Sequence, residues 1–221
     1  MATNVLDIEG TVCPISFVHD VLFPYALKKC EEEIPKLSFP LNAARSEIEG
    51  YLAAFPAETT VTSDALLAHI RDLMSRDQKI GYLKALQGFL WRSGYESGEI
   101  KAPIYDDAVQ AMQHWKQVYI YSSGSVPAQQ LLFKYTNHGD LTPLIAGYFD
   151  TVNGGPKTEA SSYTKIASQI GAQSYRFYSD NPKEIDAAHA AGWLTTFVVR
   201  PGNPPYDYTA PDSRANSLYT A

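Results

Sequence analysis

Apolar positions along the chain follow two different spacings. Short β-branched and aromatic runs, which predict buried strands, occur at 2–6, 117–121, 175–178 and 195–199. Stretches with apolar residues three or four positions apart, which predict helices, separate the later runs at 105–116, 126–135, 159–171 and 183–191. Because strands that alternate with helices form βαβ units, the pattern predicts an α/β protein with a parallel sheet.

Between the first strand and the others, the helical spacing continues without a strand. It recurs at 16–33, 43–55, 78–91 and in a segment that begins near Ser63 and Asp64, the candidate N-caps. An all-helical insert is therefore predicted over 16–96, within a discontinuous α/β core of 1–15 and 97–221. The tail from residue 204 contains three prolines and has no periodicity, so we expect a surface arm.

Charge and composition narrow the class of protein. The chain has 221 residues, 18 basic and 24 acidic, and a net charge of −6, which disfavours general binding to nucleic acid or anionic lipid. No apolar run approaches the ~18 residues of a membrane span. The first basic residue, Lys28, comes too late for a secretory signal or transit peptide. We expect a cytoplasmic protein, with a nuclear pool also open, in which Cys13 and Cys30 are buried free thiols.

Polar side chains cluster where the predicted strands end. These are Asp7 and Glu9, Ser122 and Ser123, Ser179 and Asp180, and Arg200, with Lys157 before a later helix. Ligands of open parallel sheets bind beyond these strand ends. Carboxylates there can hold a hard divalent cation such as Mg²⁺, while hydroxyls and a lysine can hold a phosphate. The set suits phosphoryl transfer better than acyl or hydride transfer.

Taken singly, most of these features have ordinary explanations. A Ser-Ser-Gly-Ser stretch is commonly a loop, and a lone lysine such as Lys157 is commonly solvated. Asp180 could cap the following helix, and Asp106 and Asp107 could merely complement a helix dipole. The histidines show no pair at metal-ligand spacing. Only the occurrence of all these residues at the predicted strand ends indicates a site.

In their order along the chain, these motifs resemble the haloacid dehalogenase-like superfamily. The resemblance runs from about residue 5 to 203 and rests on the stretch Asp7–Thr11, Ser122, Lys157 and Asp180. It implies a Rossmann-like parallel sheet core of haloacid dehalogenase type, with the helical insert as a cap domain. Longer strings at 6–18, 118–126, 147–151 and 198–203 are similar to the acireductone synthase family, the enolase-phosphatases of methionine salvage.

This second resemblance implies a reaction and a set of partners. The family enolises 2,3-diketo-5-methylthiopentyl-1-phosphate and then removes its phosphate, which yields the acireductone 1,2-dihydroxy-3-keto-5-methylthiopentene. Its members use one Mg²⁺ per chain and act as monomers on this small molecule. We expect the same here.

The resemblance also implies a role for each matching residue. Asp7 matches the nucleophile, which forms an aspartyl phosphate, and also a metal ligand. Glu9 matches the general acid/base and reaches the metal, to which Asp180 is a further ligand. The substrate and phosphate ligands are Ser122, Ser123 and Lys157. Glu184 falls where a second acid of the last motif would stand.

Two alternatives stay open at this point. One is another small-molecule phosphatase of the superfamily, in which Glu9 would replace the more common Asp. The other is a non-catalytic binding protein on the same fold, which the presence of Asp7, Glu9, Lys157 and Asp180 disfavours. Pro182, soon after Asp180, is expected to reshape that loop.

Overall fold

The computed structural model describes residues 2–41, 44–115 and 117–219. The chain divides into two compact units, Met1–Phe17 with Lys101–Ala221, and Val18–Ile100. The borders predicted near 15 and 97 therefore lie a few residues before those of the structure. The last helix of the second unit continues to Ser97. Gly98 ends that helix with φ 79°. The predicted ranges also include residues 1, 42, 43, 116, 220 and 221, which lie outside the described residues.

The first unit is built on a parallel sheet, as the sequence predicts. Its strands are β1 (Thr3–Leu6), β2 (Val118–Tyr121), β3 (Ile145–Phe149), β4 (Tyr175–Ser179), β5 (Leu194–Val198) and β6 (Ser213–Ala215). Their order across the sheet is β3-β2-β1-β4-β5-β6, and every neighbouring pair is parallel. The order reverses at β1, so the carboxyl end of β1 is the point where such folds bind ligands.

The helices of the described residues follow the predicted alternation. They are α1 (Ile15–Phe17), α2 (Phe23–Glu33), α3 (Glu47–Leu52), α4 (Ser63–Ser75), α5 (Gly81–Ser97), α6 (Asp106–Trp115), α7 (Val126–Lys134), α8 (Ala160–Ile170) and α9 (Pro182–Ala190). Short 3₁₀ or π turns stand at Val18–Leu22, Ile34–Lys36, Ala57–Thr59 and Thr142–Leu144. None of the described helices is both long and apolar enough to cross a membrane.

Aromatic packing forms the core of the sheet unit. The Tyr163 ring from α8 meets Phe177 of β4 edge-on, with centroids 5.2 Å apart, and Trp193 at 5.3 Å. Val5 and Phe177 are fully buried in the same cluster. Edge-to-face contacts of this kind add to the free energy gained by burying the rings. The cluster gives the strand ends a rigid base.

The helical unit has its own apolar core, to which α2 to α5 contribute. Cys30, Leu52, Leu66 and Leu86 lie within it, almost without exposure. Cys30 here and Cys13 in the sheet unit are buried free thiols, as expected.

The N-cap of α4 differs from the prediction. Thr62, rather than Ser63 or Asp64, has the extended backbone of an N-cap, and its hydroxyl accepts a hydrogen bond from the Ala65 amide at 3.2 Å. Three neighbouring polar residues can each satisfy the sequence rule, and only the backbone conformation selects one of them.

Two strands escape the sequence pattern. Strand β3 contains Gly147, against which the Tyr119 ring packs. This glycine interrupts the apolar run from which a strand would be predicted. The polar strand β6 lies in the tail that we expected to be a surface arm, and that expectation is wrong for Ser213–Ala215. Side chains hold β6 in place: the Asp212 carboxylate accepts the Thr195 amide and hydroxyl, both at 2.8 Å, and the Ser213 and Thr196 hydroxyls are 2.8 Å apart.

The charge on Asp212 should contribute to folding stability in a pH-dependent way. Burial alone would raise the pKa of this carboxyl, but the hydrogen bonds from Thr195 and the nearby His189 hold the pKa below its usual value. A depressed pKa stabilises the fold above the pKa of the unfolded chain, and this contribution is lost as pH falls through the folded pKa. Because Asp212 is exposed and solvent screens its charge, Asp212→Asn should cost only about 0.5 kcal/mol at pH 7.

Urea unfolding of both proteins at several pH values measures this difference. It should still be present at pH 5 and shrink below about pH 4, where the carboxyl of the unfolded chain takes up its proton. A difference that stays constant down to pH 3 would show that charge on Asp212 contributes nothing.

Candidate active site

A buried lysine stands at the centre of the predicted site. The Lys157 ammonium lies 2.6 Å from Asp7 Oδ1 and 2.6 Å from Glu184 Oε2. Each of these three residues is less than a tenth exposed. The structure thus brings together three side chains that are far apart in the sequence, and the solvated position considered for Lys157 is wrong.

The strand register explains why Asp7 and Asp180 meet. Strands β1 and β4 pair with Leu6 opposite Tyr178, and the Asp7 amide donates to Tyr178 O at 2.9 Å. Asp7 and Asp180 therefore leave the sheet at neighbouring points of the same edge. Burial and the Glu184 charge raise the pKa of Asp180 to about 6, which places its carboxyl in the same electrostatic environment.

Tyr163 connects the aromatic core to this site. Its hydroxyl donates to Lys157 O at 2.7 Å and lies 3.2 Å from Glu184 O. One buried hydroxyl thus touches the main chain of both residues of the Lys157–Glu184 pair. Sequence analysis missed Tyr163, because its helical spacing indicates only a core position.

Ser179 joins the carboxylates on the other side. Its hydroxyl lies 2.8 Å from Glu184 Oε2 and 3.4 Å from Asp7 Oδ2, and it accepts the Asn181 amide at 3.1 Å. Asn181, not Asp180, caps α9, through a hydrogen bond from the Lys183 amide. Pro182 is the first residue of that helix, where a missing amide costs nothing, so it starts α9 rather than distorting the loop.

The turn after Asp7 requires a glycine. Gly10 has φ 67°, and a Cβ there would collide with the Asp180 carboxylate. The amides of Thr11, Val12 and Cys13 all donate to Ile8 O, which closes the turn tightly. We call residues 8–13 the Glu9 turn. It presents the half-buried Glu9 beside Asp180.

The electrostatics of the cluster are unbalanced. Burial, opposed by Lys157 and assisted by the charges of Glu184 and Asp180, raises the pKa of Asp7 to about 8. Burial would lower the pKa of Lys157, but Asp7 and Glu184 outweigh it and raise that pKa instead. Three buried carboxyl groups thus share one ammonium, whose single positive charge cannot balance them all when they are ionised.

This imbalance fits a bound divalent cation. Among the described residues, no group of three or more His, Cys, Asp or Glu side chains is placed to hold a metal ion. Mg²⁺ does not need such a group, because it usually takes one or two carboxylates and keeps several waters. The hard oxygens of Asp7 and Asp180, next to the Glu9 turn, provide such a donor set.

The Ser122–Ser123 loop reaches the same edge through β2, which pairs with β1. Two residues that the sequence did not single out shape this loop. The Gln129 side-chain amide donates to Gly124 O at 2.7 Å and to Phe149 O at 2.9 Å. The Gly124 amide in turn lies 3.4 Å from Ser122 Oγ.

Asp150 is the second of these residues. Its carboxylate accepts the amides of Val126, Val152 and Asn153 at 2.8–3.1 Å, which ties the start of α7 to the loop after β3. An acid directly after a strand is a recognisable signal, but β3 itself was not predicted. The sequence indicates Asp150 only as part of the stretch 147–151, which is similar to the acireductone synthase family.

Arg200, a predicted strand-end group, lies beneath the Glu9 turn. It is 6% exposed, and its Nε donates to Thr11 O at 2.9 Å. Its Nη1 lies 2.9 Å from Asp107 Oδ2. The half-buried Asp107 therefore forms an ion pair with a buried arginine, and the prediction that it only complements a helix dipole is wrong.

Residues 1–192 match the family of haloacid dehalogenase-like hydrolases. The chain is 54% identical to enolase-phosphatase E1 of Yarrowia lipolytica, over 92% of this chain and 91% of the relative. The chain belongs to the enolase-phosphatase E1 family. The relative from Clavispora lusitaniae, also named enolase-phosphatase E1, is 47% identical over the same shares of each chain.

Solved structures agree on the fold of this enolase-phosphatase family member. The crystal structure of the UTR4 protein from Saccharomyces cerevisiae superposes with a TM-score of 0.88 at 41% identity, covering 100% of this chain and 99% of that one. A dehalogenase at 16% identity, covering 99% of this chain and 94% of its own, has a TM-score of 0.55, which shows the fold alone. The predicted α/β fold of haloacid dehalogenase type is thus confirmed. The residue roles stay predictions.

The Tyr163 hydroxyl should matter for activity as well as for stability. Tyr163→Phe leaves the Lys157 carbonyl without this buried donor, which should cost about 1–3 kcal/mol in the free energy of unfolding. Because the same hydroxyl positions the main chain of Lys157, turnover per folded molecule should fall as well.

Tyr175→Phe is the matched control for urea unfolding and steady-state kinetics. The Tyr175 hydroxyl also donates to a main-chain carbonyl, Ala167 O at 2.9 Å, but Tyr175 is the first residue of β4, at the end of the strand away from the site. The Tyr175→Phe variant should lose stability and keep its turnover per folded molecule. Equal turnover in the two variants would limit Tyr163 to a role in folding.

Proposed function

We propose that the chain converts 2,3-diketo-5-methylthiopentyl-1-phosphate to the acireductone 1,2-dihydroxy-3-keto-5-methylthiopentene and phosphate, in methionine salvage. It is a phosphoric monoester hydrolase that also enolises its substrate. The observation that carries the proposal is the buried contact of Lys157 with Asp7, in a chain 54% identical to a named enolase-phosphatase.

Asp7 acts as the nucleophile in the phosphatase step. One carboxylate oxygen attacks phosphorus, the ester oxygen leaves, and an aspartyl phosphate forms; water then attacks phosphorus and releases Asp7. Glu9 donates a proton to the leaving oxygen in the first step and accepts one from water in the second. It is half-buried and close enough to Asp180 for its charge to raise the pKa of that carboxyl, which supports this role.

Lys157 provides the positive charge for the transfer. Phosphoryl transfer is catalysed mainly by positioning and by stabilising charge on the equatorial oxygens. Because the Lys157 ammonium already contacts Asp7, it lies where that charge develops. The Ser122 and Ser123 hydroxyls hold the phosphate from the loop that Gln129 and Asp150 fix.

One Mg²⁺ per chain completes the proposed site. Asp7, Asp180 and Glu9 would hold it, and it would neutralise charge on the phosphoryl oxygens and polarise the diketone. In the enolisation, a proton leaves the carbon that bears the phosphate ester, and a carbonyl oxygen becomes the enol hydroxyl. Glu9 is the base that the sheet unit offers, with a cap residue as the other candidate.

We expect the chain to act as a monomer, as its resemblance to the enolase-phosphatases implies. We also expect a cytoplasmic enzyme, with a nuclear pool open.

A continuous assay with the diketo phosphate, with and without Mg²⁺, tests the function. Enol absorbance and released phosphate, both dependent on Mg²⁺, are the expected results. Phosphate release without enol product would leave a plain phosphatase. Turnover of an aryl phosphate but not of this compound would mean that the cap selects another substrate.

Replacing the nucleophile should stop turnover without unfolding the protein. Asp7→Asn keeps the side-chain shape, and Lys157 keeps Glu184 as a partner, so the midpoint of thermal unfolding should not fall. Phosphate release should drop by at least about 10³-fold. Asp106→Asn, an exposed acid on α6, is the control and should keep wild-type turnover. Substantial turnover by purified Asp7→Asn would contradict the covalent mechanism.

Lys157 has a structural and a catalytic contribution that can be separated. Lys157→Ala leaves buried carboxylates unpaired and should lose about 3–5 kcal/mol of stability. A second change, Glu184→Gln, removes one of those charges and should recover part of it. Turnover should stay at least about 10²-fold below wild type in both variants, because the charge on the phosphoryl group is still unmatched. Recovery of turnover along with stability would make Lys157 purely structural.

A further inference from the structure

Two side chains from the loop after β5 hold the Glu9 turn. Arg200 Nε donates to Thr11 O at 2.9 Å, and Asn203 Nδ2 donates to Gly10 O at 2.9 Å. These are the carbonyls of the two residues that directly follow Glu9. The loop is itself a turn, closed by the Asn203 amide on Arg200 O at 3.2 Å.

Several groups hold the Arg200 side chain in place. Beyond Thr11, its Nη1 bonds Asp107 at 2.9–3.0 Å and lies 3.2 Å from Asn216 O. Its guanidinium lies 4.4 Å from the centre of the Tyr105 ring. A planar group with partners on several sides has one orientation, so it fixes the carbonyl to which it donates.

Asp107 extends this arrangement to the end of the described chain. Its Oδ2 accepts the Leu218 amide at 2.7 Å and lies 3.2 Å from the Ser217 hydroxyl. The Glu9 turn is therefore joined through Arg200 to the start of α6 and to the segment after β6. None of these residues belongs to the proposed catalytic set.

Asn203 acts on the most crowded point of the turn. A Cβ on Gly10 would meet both the Asp180 carboxylate and, at 3.1 Å, Asn203 Oδ1. The side of Gly10 on which a side chain would stand is thus filled by a proposed metal ligand and by Asn203. A shift of the turn would change the direction in which Glu9 leaves the main chain.

We propose that Arg200 and Asn203 are positioning residues, which hold the Glu9 turn so that the Glu9 carboxyl is placed for proton transfer. This inference rests on the proposed role of Glu9. Misplacing a catalytic group by about 1 Å can cost ~10²-fold in rate. Two hydrogen bonds on consecutive carbonyls restrict that displacement.

Two variants and one matched control separate positioning from folding. Asn203→Ala removes the donor to Gly10 O. Arg200→Lys keeps the charge opposite Asp107, but a single ammonium cannot replace the fork that reaches Thr11 O and Asp107 together. Arg176→Lys is the control, because Arg176 Nη1 also bonds a main-chain carbonyl, Thr195 O at 3.3 Å, but at the opposite end of the strands.

Hydrogen–deuterium exchange and kinetics on the diketo phosphate are the two measurements. In Asn203→Ala and Arg200→Lys, the amides of residues 10–13 should exchange at least about tenfold faster, while β1 and β4 keep their protection. The kcat per folded molecule should fall about 10- to 100-fold, and KM should change less than threefold, because the phosphate ligands are untouched. Arg176→Lys should change neither the exchange of the turn nor kcat.

The inference is overturned if exchange in the turn is unchanged, or if kcat per folded molecule stays within threefold of wild type. A loss of kcat of the same size in Arg176→Lys would also overturn it, because the loss of a hydrogen bond to a carbonyl far from the site would then lower kcat equally. Absence of wild-type turnover with the diketo phosphate would refute the proposed function instead. The positioning inference would then be judged by the exchange data and by turnover of 4-nitrophenyl phosphate.

Discussion

The ammonium of Lys157, buried between Asp7 and Glu184, determines how the rest of the site is built. A lone charge at this depth would lose more hydration energy than the protein could return, so it needs close partners of opposite sign. The Tyr121 and Phe177 rings, 5.9 and 5.7 Å from the nitrogen, add only a weaker cation–π attraction. Asp7 is thereby drawn into a defined position.

The parallel sheet makes this contact possible. Asp7, Ser122 and Asp180 each follow a strand, and β1 lies between β2 and β4, so all three leave the sheet at one edge. Lys157 and Glu184 come from the segments before α8 and at the start of α9, and Tyr163 ties their main chains together. The fold thus turns large sequence separations into contacts of a few ångströms.

The sequence predicts the parts of this structure that repeat or that follow a strand. Four of the six strands, the helical insert, and the positions of Asp7 and Asp180 fall into this class. Lys157 was noticed only as a basic residue before a helix, and Glu184 only through the family resemblance. Strand β6 does not, because its Ser-Arg-Ala run is held by Asp212 and Thr195, whose contact depends on the folded chain.

The supporting residues were missed for a similar reason. Gln129, Asp150, Tyr163 and Asn203 act on main-chain carbonyls or amides, and a main-chain partner has no signature in the sequence. Arg200 was noticed as a strand-end group, but its target, Thr11 O, was not foreseeable. Sequence patterns therefore locate the reacting groups better than the contacts that hold them in place.

Charge balance links the site to its proposed chemistry. Asp7, Asp180 and Glu184 face one ammonium, so with every group ionised two negative charges are unmatched, and the raised pKa values of Asp7 and Asp180 are the response of the protein alone. A phosphate ester brings further negative charge to this point and would be repelled by such a group. A divalent cation at Asp7 and Asp180 would offset the two charges, lower both pKa values and leave the Asp7 carboxylate ionised for attack. The carboxylates that would repel a phosphate by themselves would therefore accept one once a cation is bound to them.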